Sequence, residues 1–181
     1  MQRTPRISIL VRMRLRLLLR LVAVSGAALL LLLPPVAGGA RKPRAGDGTL
    51  SVQGGRGIVQ IAARGSIIGR INQGQVKVID RDPYDAAVPV VRGGRCRPRQ
   101  CNETTIVRQG RNIRFRLVGG FFRLKVNGRG IELAAVGHGS VTLNGDERFA
   151  DTGLYSLNGD DLLPVPYEPE TMQLAAPPPG D

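Results

Sequence analysis

The sequence predicts a small all-β domain, an antiparallel sandwich or barrel whose short strands are separated by glycines. The chain has 24 Gly and 13 Pro, and only 4% of its residues are aromatic. That composition fits many tight turns between short strands better than long packed helices. Apolar and polar residues also alternate, as at Leu50 and Val52 or at Val141 and Leu143, which is the period of a strand with one buried face.

The predicted strands are short, apolar, rich in β-branched residues and evenly spaced. They cover residues 49–53, 57–62, 66–71, 75–79, 88–91, 104–107, 112–118, 121–126, 130–135, 140–143 and 154–157. A β-solenoid is the alternative, because segments 139–145 and 153–159 share Gly, Leu, Asn and Gly at matching offsets. Hairpin turns also produce repeated Asn-Gly pairs, so antiparallel pairing is preferred.

Residues 112–135 are predicted to form a three-stranded meander. Gly119-Gly120 and Asn127-Gly128 would be its two hairpin turns, since both dipeptides tolerate positive φ. Both turns give a register that buries the same apolar face. The residues of that face are Ile113, Phe115, Leu117, Phe122, Leu124, Val126, Ile131 and Leu133.

Residues 1–40 have the three parts of an export signal. Arginines precede an apolar run over 21–33, and Pro34-Pro35 and small residues up to Ala40 follow it. The run is shorter than the ~20 residues of a membrane-spanning helix. We therefore expect a signal peptide, with an uncleaved N-terminal anchor as the alternative, and either places the domain outside the cytoplasm, secreted or in the cell envelope.

The remaining chain divides into three parts. Residues 41–47 are a polar linker, and residues 48–159 form the β domain. Residues 160–181 are acidic and rich in proline, which is typical of a disordered tail.

The net charge of +12 is unevenly distributed. Between residues 92 and 129 there are eleven Lys or Arg and a single acid, Glu103, whereas residues 130–181 hold nine acids and one base, Arg148. Such a chain can bind anionic partners, or its acidic end can neutralise its basic middle within the fold.

The outward face of the predicted meander is the candidate binding site. Its register places Arg116 opposite Arg123 and Arg114 opposite Lys125. Opposed like charges destabilise a sheet, so these four residues would gain from a bound anion. An anionic envelope polymer or lipid head groups are the expected partners, whereas nucleic acid is disfavoured by export and by the scarcity of aromatics. Alternatively, the acidic tail or the loop with Asp146 covers this patch.

Cys96 and Cys101 are predicted to form a local disulfide, because an oxidising compartment favours one. A closed zinc site needs four ligands, and the chain has one His and no further Cys. The aspartates at 80, 82 and 85 are more typical of a solvated turn than of a calcium site. No metal or cofactor is predicted.

No catalytic motif is present in the sequence. His138 lies between two glycines and Ser140 follows, but the sequence suggests no third member of a triad. Three hypotheses follow, in order of preference. The chain is a non-catalytic binding domain, a structural protein that self-associates through strand edges, or a hydrolase with an unrecognised site.

The runs 48–79 and 121–145 place glycines before short Val and Ile pairs. In this they resemble uncharacterised exported all-β proteins of high-GC Gram-positive bacteria. The resemblance implies an exported β domain and carries no catalytic residue. The run 48–79 is also distantly similar to bactofilins, which are polymerising β-helices without a leader.

Overall fold

The computed structural model describes residues 46–176, which form one antiparallel sheet of seven strands. The strands are β1 (Gly48–Asp80), β2 (Val90–Arg92), β3 (Arg95–Cys101), β4 (Thr105–Gly145), β5 (Leu154–Leu157), β6 (Leu163–Pro164) and β7 (Glu170–Leu174). The predicted leader, residues 1–40, lies outside the described residues. Within 46–176 there is no helix of the length and apolarity needed to cross a membrane. The predicted all-β antiparallel class is confirmed.

Two very long strands, β1 and β4, make up most of the domain. They pair antiparallel, and most residues of β1 pair with β4 twice. Val59 lies between Leu143 and Val126, and Ile67 lies between Ala135 and Leu117. The two strands therefore form a ribbon that coils until one turn pairs with the next.

The coiled ribbon folds the continuous sheet into two layers, because each long strand crosses repeatedly from one layer to the other. We call these layers the first sheet and the second sheet. Neighbours in the first sheet are β6, β5, 48–53, 131–136, 66–71, 113–118 and β2. Neighbours in the second sheet are β7, 139–145, 57–63, 122–128, 75–80, 105–109 and β3. Both sheets end in open edges, so the fold is sandwich-like.

The core lies between the two sheets, and alternation along the strands fills it. Every residue of the predicted apolar face is buried, from Ile113 and Phe122 at 0% exposed to Leu133 at 5%. Residues of both sheets belong to a single buried cluster. Which residues point inward was therefore predicted correctly.

Glycines line the bends where the strands change layer. Five of them pair across neighbouring segments as one row, in the order Gly145, Gly57, Gly128, Gly74 and Gly110. At Gly74, φ is +145°, and a Cβ would overlap the backbone carbonyl of Asn127. Only glycine allows the backbones to approach so closely at these bends. We call this set the glycine row.

The predicted hairpins are wrong, because the chain at both turns crosses between the two sheets. Leu117 pairs with Ile67 rather than with Phe122, and Phe122 pairs with Ala63 and Asp80. Glycine dipeptides serve a bend as well as a two-residue turn, so the local sequence does not distinguish them. All strand pairs are antiparallel, which also excludes the β-solenoid alternative for residues 46–176.

The predicted disordered tail is also wrong for residues 160–176. β6 pairs with β5 in the first sheet, and β7 pairs with segment 139–143 in the second. Val165 and Leu174 are 3% and 1% exposed, so both belong to the core. The prolines and acids of this segment suggested disorder, but its apolar residues Val165 and Leu174 pack in the core.

Cys96 and Cys101 form a disulfide with their Cα atoms 6.3 Å apart, as predicted. The bonded segment is β3, which pairs with residues 106–109 of β4 at one edge of the second sheet. The disulfide sulfur Sγ of Cys101 also lies 3.3 Å from the carbonyl oxygen of Val107. The disulfide thus holds a short loop against the sheet edge.

Replacing Cys96 and Cys101 together by Ser should lower the free energy of unfolding by about 2 kcal/mol, because the closed loop is very short. Urea denaturation with and without reductant measures the effect. Reductant should shift the wild-type midpoint to that of the double variant and leave the variant unchanged. A reductant effect on the variant would place the sensitivity outside this disulfide.

Candidate anion-binding site

The four predicted patch residues do not form one patch. Arg114 and Arg116 lie on the outer face of the first sheet, whereas Arg123 and Lys125 lie on the outer face of the second. All four side chains are exposed. The predicted juxtaposition failed because it depended on the hairpin at Gly119-Gly120, which is a bend between the layers.

The first sheet instead brings together arginines from three neighbouring strands. Arg70 pairs directly with Arg114, and Arg114 pairs directly with Arg92 of β2. Neighbouring strands are about 4.8 Å apart, so the three Cα atoms span about 10 Å. We call Arg70, Arg114 and Arg92 the arginine row. Directly opposed like charges cost a few tenths to about 1 kcal/mol per pair, so this arrangement is unfavourable without an anion.

One acidic residue, Glu132, borders the arginine row and pairs with Arg70 across the sheet. Its Oε1 accepts a hydrogen bond of 3.3 Å from the backbone N–H of Gly54. Within residues 46–176, no acidic side chain forms an ion pair with any member of the arginine row. Glu132 therefore offsets the positive charge of Arg70 at one end of the arginine row and leaves the charges of Arg114 and Arg92 without a neighbouring acid among the described residues.

The acidic end of the chain lies away from the arginine row. β6 lies at the opposite edge of the first sheet from β2, and Glu170 is on β7 in the second sheet. Asp146 forms an ion pair of 2.6 Å with Arg148, whose guanidinium lowers the pKa of that carboxyl below its ordinary value. For residues up to 176, the alternative in which the acidic tail or this loop covers the basic surface is not supported.

A groove of about 710 Å³ runs over the arginine row and the neighbouring outward residues. Ile68, Val90 and Ala134 form its apolar part, with Ile68 43% and Val90 42% exposed. Arg116 pairs with Val90 and also lines this groove. We call it the arginine groove. It combines an apolar floor with a few oriented charges, as small-molecule sites do.

Sequence reasoning missed Arg70 and placed Arg92 only in the general basic region. Arg70 lies two residues after Ile68 on the outward side of its strand, so alternation alone identifies its face. The pairing of Arg70 with Arg114 joins segments far apart in the chain, and no local pattern encodes that pairing.

The outer face of the second sheet is basic but more polar. Lys77 pairs directly with Lys125, and Gln60 pairs with Lys125 on its other side. Arg64 on the same sheet lies 4.0 Å from Asp82. This face repeats the opposed cations of the first sheet, and Lys77 and Lys125 do not line the groove described next, so this pair supplies a matched control.

His138 and Ser140 line a smaller groove of about 530 Å³ on the second sheet. Asp47 Oδ1 lies 3.2 Å from His138 Nδ1, a partner that the sequence did not suggest. Within residues 46–176, the Ser140 hydroxyl makes no hydrogen bond to His138, and no cluster of acids, Cys and His that could hold a metal ion occurs. The arrangement is an Asp–His pair without an activated nucleophile.

Comparison with protein-family models, curated proteins and solved structures found no match to this chain.

Proposed function

We propose that this domain is an exported, non-catalytic binding module that holds an anionic component of the cell envelope in the arginine groove. The observation that carries the proposal is the arginine row, three directly opposed cations on neighbouring strands. Guanidinium groups bind phosphate and carboxylate in a two-pronged geometry, so a row of them suits a ligand with several anionic groups.

The energetics of the sheet support binding rather than a purely structural role. Opposed arginines repel each other, and Glu132 neutralises the row at one end alone. A bound anion removes this repulsion and adds charge-assisted hydrogen bonds. The disulfide between Cys96 and Cys101 is compatible with the oxidising compartment in which such a ligand would be met.

The self-association hypothesis has less support. The edge strands are β2 with three residues, β6 with two, β7 with five and β3, which is closed by the disulfide. Short or obstructed edges are poor templates for adding a strand from another molecule.

Binding of the 181-residue chain to inorganic polyphosphate across a salt series tests the proposal. Changing Arg70 and Arg114 together to Gln should weaken binding at least about tenfold and reduce the slope of log affinity against log salt by about one to two. Changing Lys77 and Lys125 together to Gln is the matched control, since it removes an opposed cation pair of equal charge from the other sheet.

The control variant should retain most of the affinity and most of the salt slope. Equal losses in both double variants would show that the net charge attracts polyphosphate without a site, and would contradict the proposal. Circular dichroism and thermal unfolding of each variant verify that both remain folded.

A further inference from the structure

The outer face of the first sheet changes from charged to apolar along three of its strands. On segment 66–71 the outward side chains run from Arg70 to Ile68, and on segment 131–136 they run from Glu132 through Ala134 to Val136. On β2 the same change occurs from Arg92 to Val90. The three strands change character in the same direction because their registers are aligned.

The direct pairs align this change on neighbouring strands, with Arg116 of segment 113–118 as the exception. Ala134, Ile68, Arg116 and Val90 pair in sequence as one row beside the arginine row. Val136, Ser66 and Val118 pair as the next row, further from the arginines. Four residues along a strand cover about 13 Å, so the charged and apolar ends are separated by that length.

We infer that the arginine groove binds a single anionic amphiphile, with its phosphate or carboxylate head on the arginine row and its alkyl chain along the strands. This inference rests on the proposed function, because it names the class of anion that the same groove takes. The chain would lie over the neighbouring residues Ile68 and Ala134 and point along the strands towards Val136.

The exposed apolar side chains of the groove favour an amphiphile over an anion without an apolar part. Ile68 and Val90 are more than two-fifths exposed inside the groove, although each is a β-branched apolar side chain that gains from being covered. A purely polar polyanion would leave this part of the groove in water or in poor contact.

The volume of the groove favours one ligand molecule over a membrane surface. The groove of about 710 Å³ has the volume typical of sites for single small molecules. Its arginines and its apolar residues also line the same depression rather than a protruding face. The groove is therefore suited to a monomeric amphiphile.

A chain-length series tests this inference on the 181-residue protein. Inorganic phosphate, butyl phosphate and octyl phosphate, each kept below any micelle-forming concentration, are titrated by calorimetry. Each fully buried methylene is worth about fourfold in affinity, so partial burial of the four extra methylenes should make octyl phosphate bind at least about tenfold more tightly than butyl phosphate. Octyl glucoside, with the same chain and no charge, should bind at least about tenfold more weakly than octyl phosphate.

Variants of the groove separate the contribution of the anionic head to the affinity from that of the alkyl chain. Ile68→Thr should remove most of the gain from butyl to octyl phosphate and leave the affinity for butyl phosphate nearly unchanged. The matched change Ile79→Thr, at an outward position of the second sheet, should alter neither. Changing Arg70 and Arg114 together to Gln should weaken both alkyl phosphates.

Different failures would overturn different claims. Equal affinity for butyl and octyl phosphate, with arginine-dependent binding of both, would overturn the amphiphile and leave the anion site. Absence of arginine-dependent binding for every phosphate and for polyphosphate would overturn the proposed function. Arginine-dependent binding to phosphatidylglycerol vesicles, without binding of monomeric octyl phosphate, would assign the face to a membrane surface and overturn the inference.

Discussion

Removing every residue after Gly159 should cost at least about 5 kcal/mol, which is comparable to the whole stability of a small domain. The truncation deletes Val165 and Leu174, both fully buried, and each such side chain contributes about 1.5–3 kcal/mol. It also removes the partner strand of segment 139–143 and the carbonyl of Pro166, which accepts a hydrogen bond from Gly145. The truncated chain is expected to lack a cooperative urea transition by circular dichroism.

A pair of substitutions isolates the contribution of the core in the same segment. Val165→Ala with Leu174→Ala should lose several kcal/mol, about 2–5 for the leucine alone. Leu162→Ala with Leu163→Ala is the matched control, because both leucines are about half exposed and should cost little. A cooperative, nearly native transition in the truncated chain would contradict the structural role of residues 160–176.

Gly74→Ala should lower the free energy of unfolding by about 3 kcal/mol or more. Two costs combine at this position, since φ is +145° and the added methyl group would overlap the Asn127 carbonyl and the Cα of Gly128. Neither neighbour can move easily, because both are backbone groups of the paired strand. Urea denaturation monitored by far-ultraviolet circular dichroism measures the loss.

Gly119→Ala is the matched control for this substitution. Gly119 also has a positive φ, +86°, but an added Cβ would meet no atom within 4 Å. Its cost should be limited to the backbone conformation, about 1–2 kcal/mol. If both variants lose the same stability, close approach of the strands is not what requires glycine at position 74.

The sequence predicted the class of the fold and the inward side of residues 113–133, because both depend on local alternation. Ile113, Phe115 and Leu117 alternate with arginines, and this alone identifies their buried face. Which strand segments pair with each other could not be predicted from local alternation. A Gly-Gly dipeptide permits either a chain reversal or a bend. Which one forms depends on whether Leu117 pairs with Phe122 or with the distant Ile67.

The candidate site shows the same division between local and distant information. Arg114 and Arg116 were identified because they alternate with a buried apolar face. Arg70 was not, since it reaches Arg114 only through a pair between two strands remote in sequence. Arg123 and Lys125 are separated from this site by the same bend at Gly119-Gly120. The wrong prediction of a hairpin there therefore accounts both for the wrong strand pairing and for the wrong patch.

The coiled ribbon has a consequence for how the protein folds. Ile79 pairs with Thr105 near the loop that joins the long strands, but Gly48 pairs with Gly137, at the far end of the ribbon from that loop. Contacts of such sequence separation require large loops to close before they contribute, so folding should be slow for a domain of this size. The ribbon can grow from its loop as a hairpin, yet the second set of pairs, between one turn and the next, forms only after it has wrapped. Until then its long edges and apolar face are open to other chains, and the risk of aggregation is greatest in that interval.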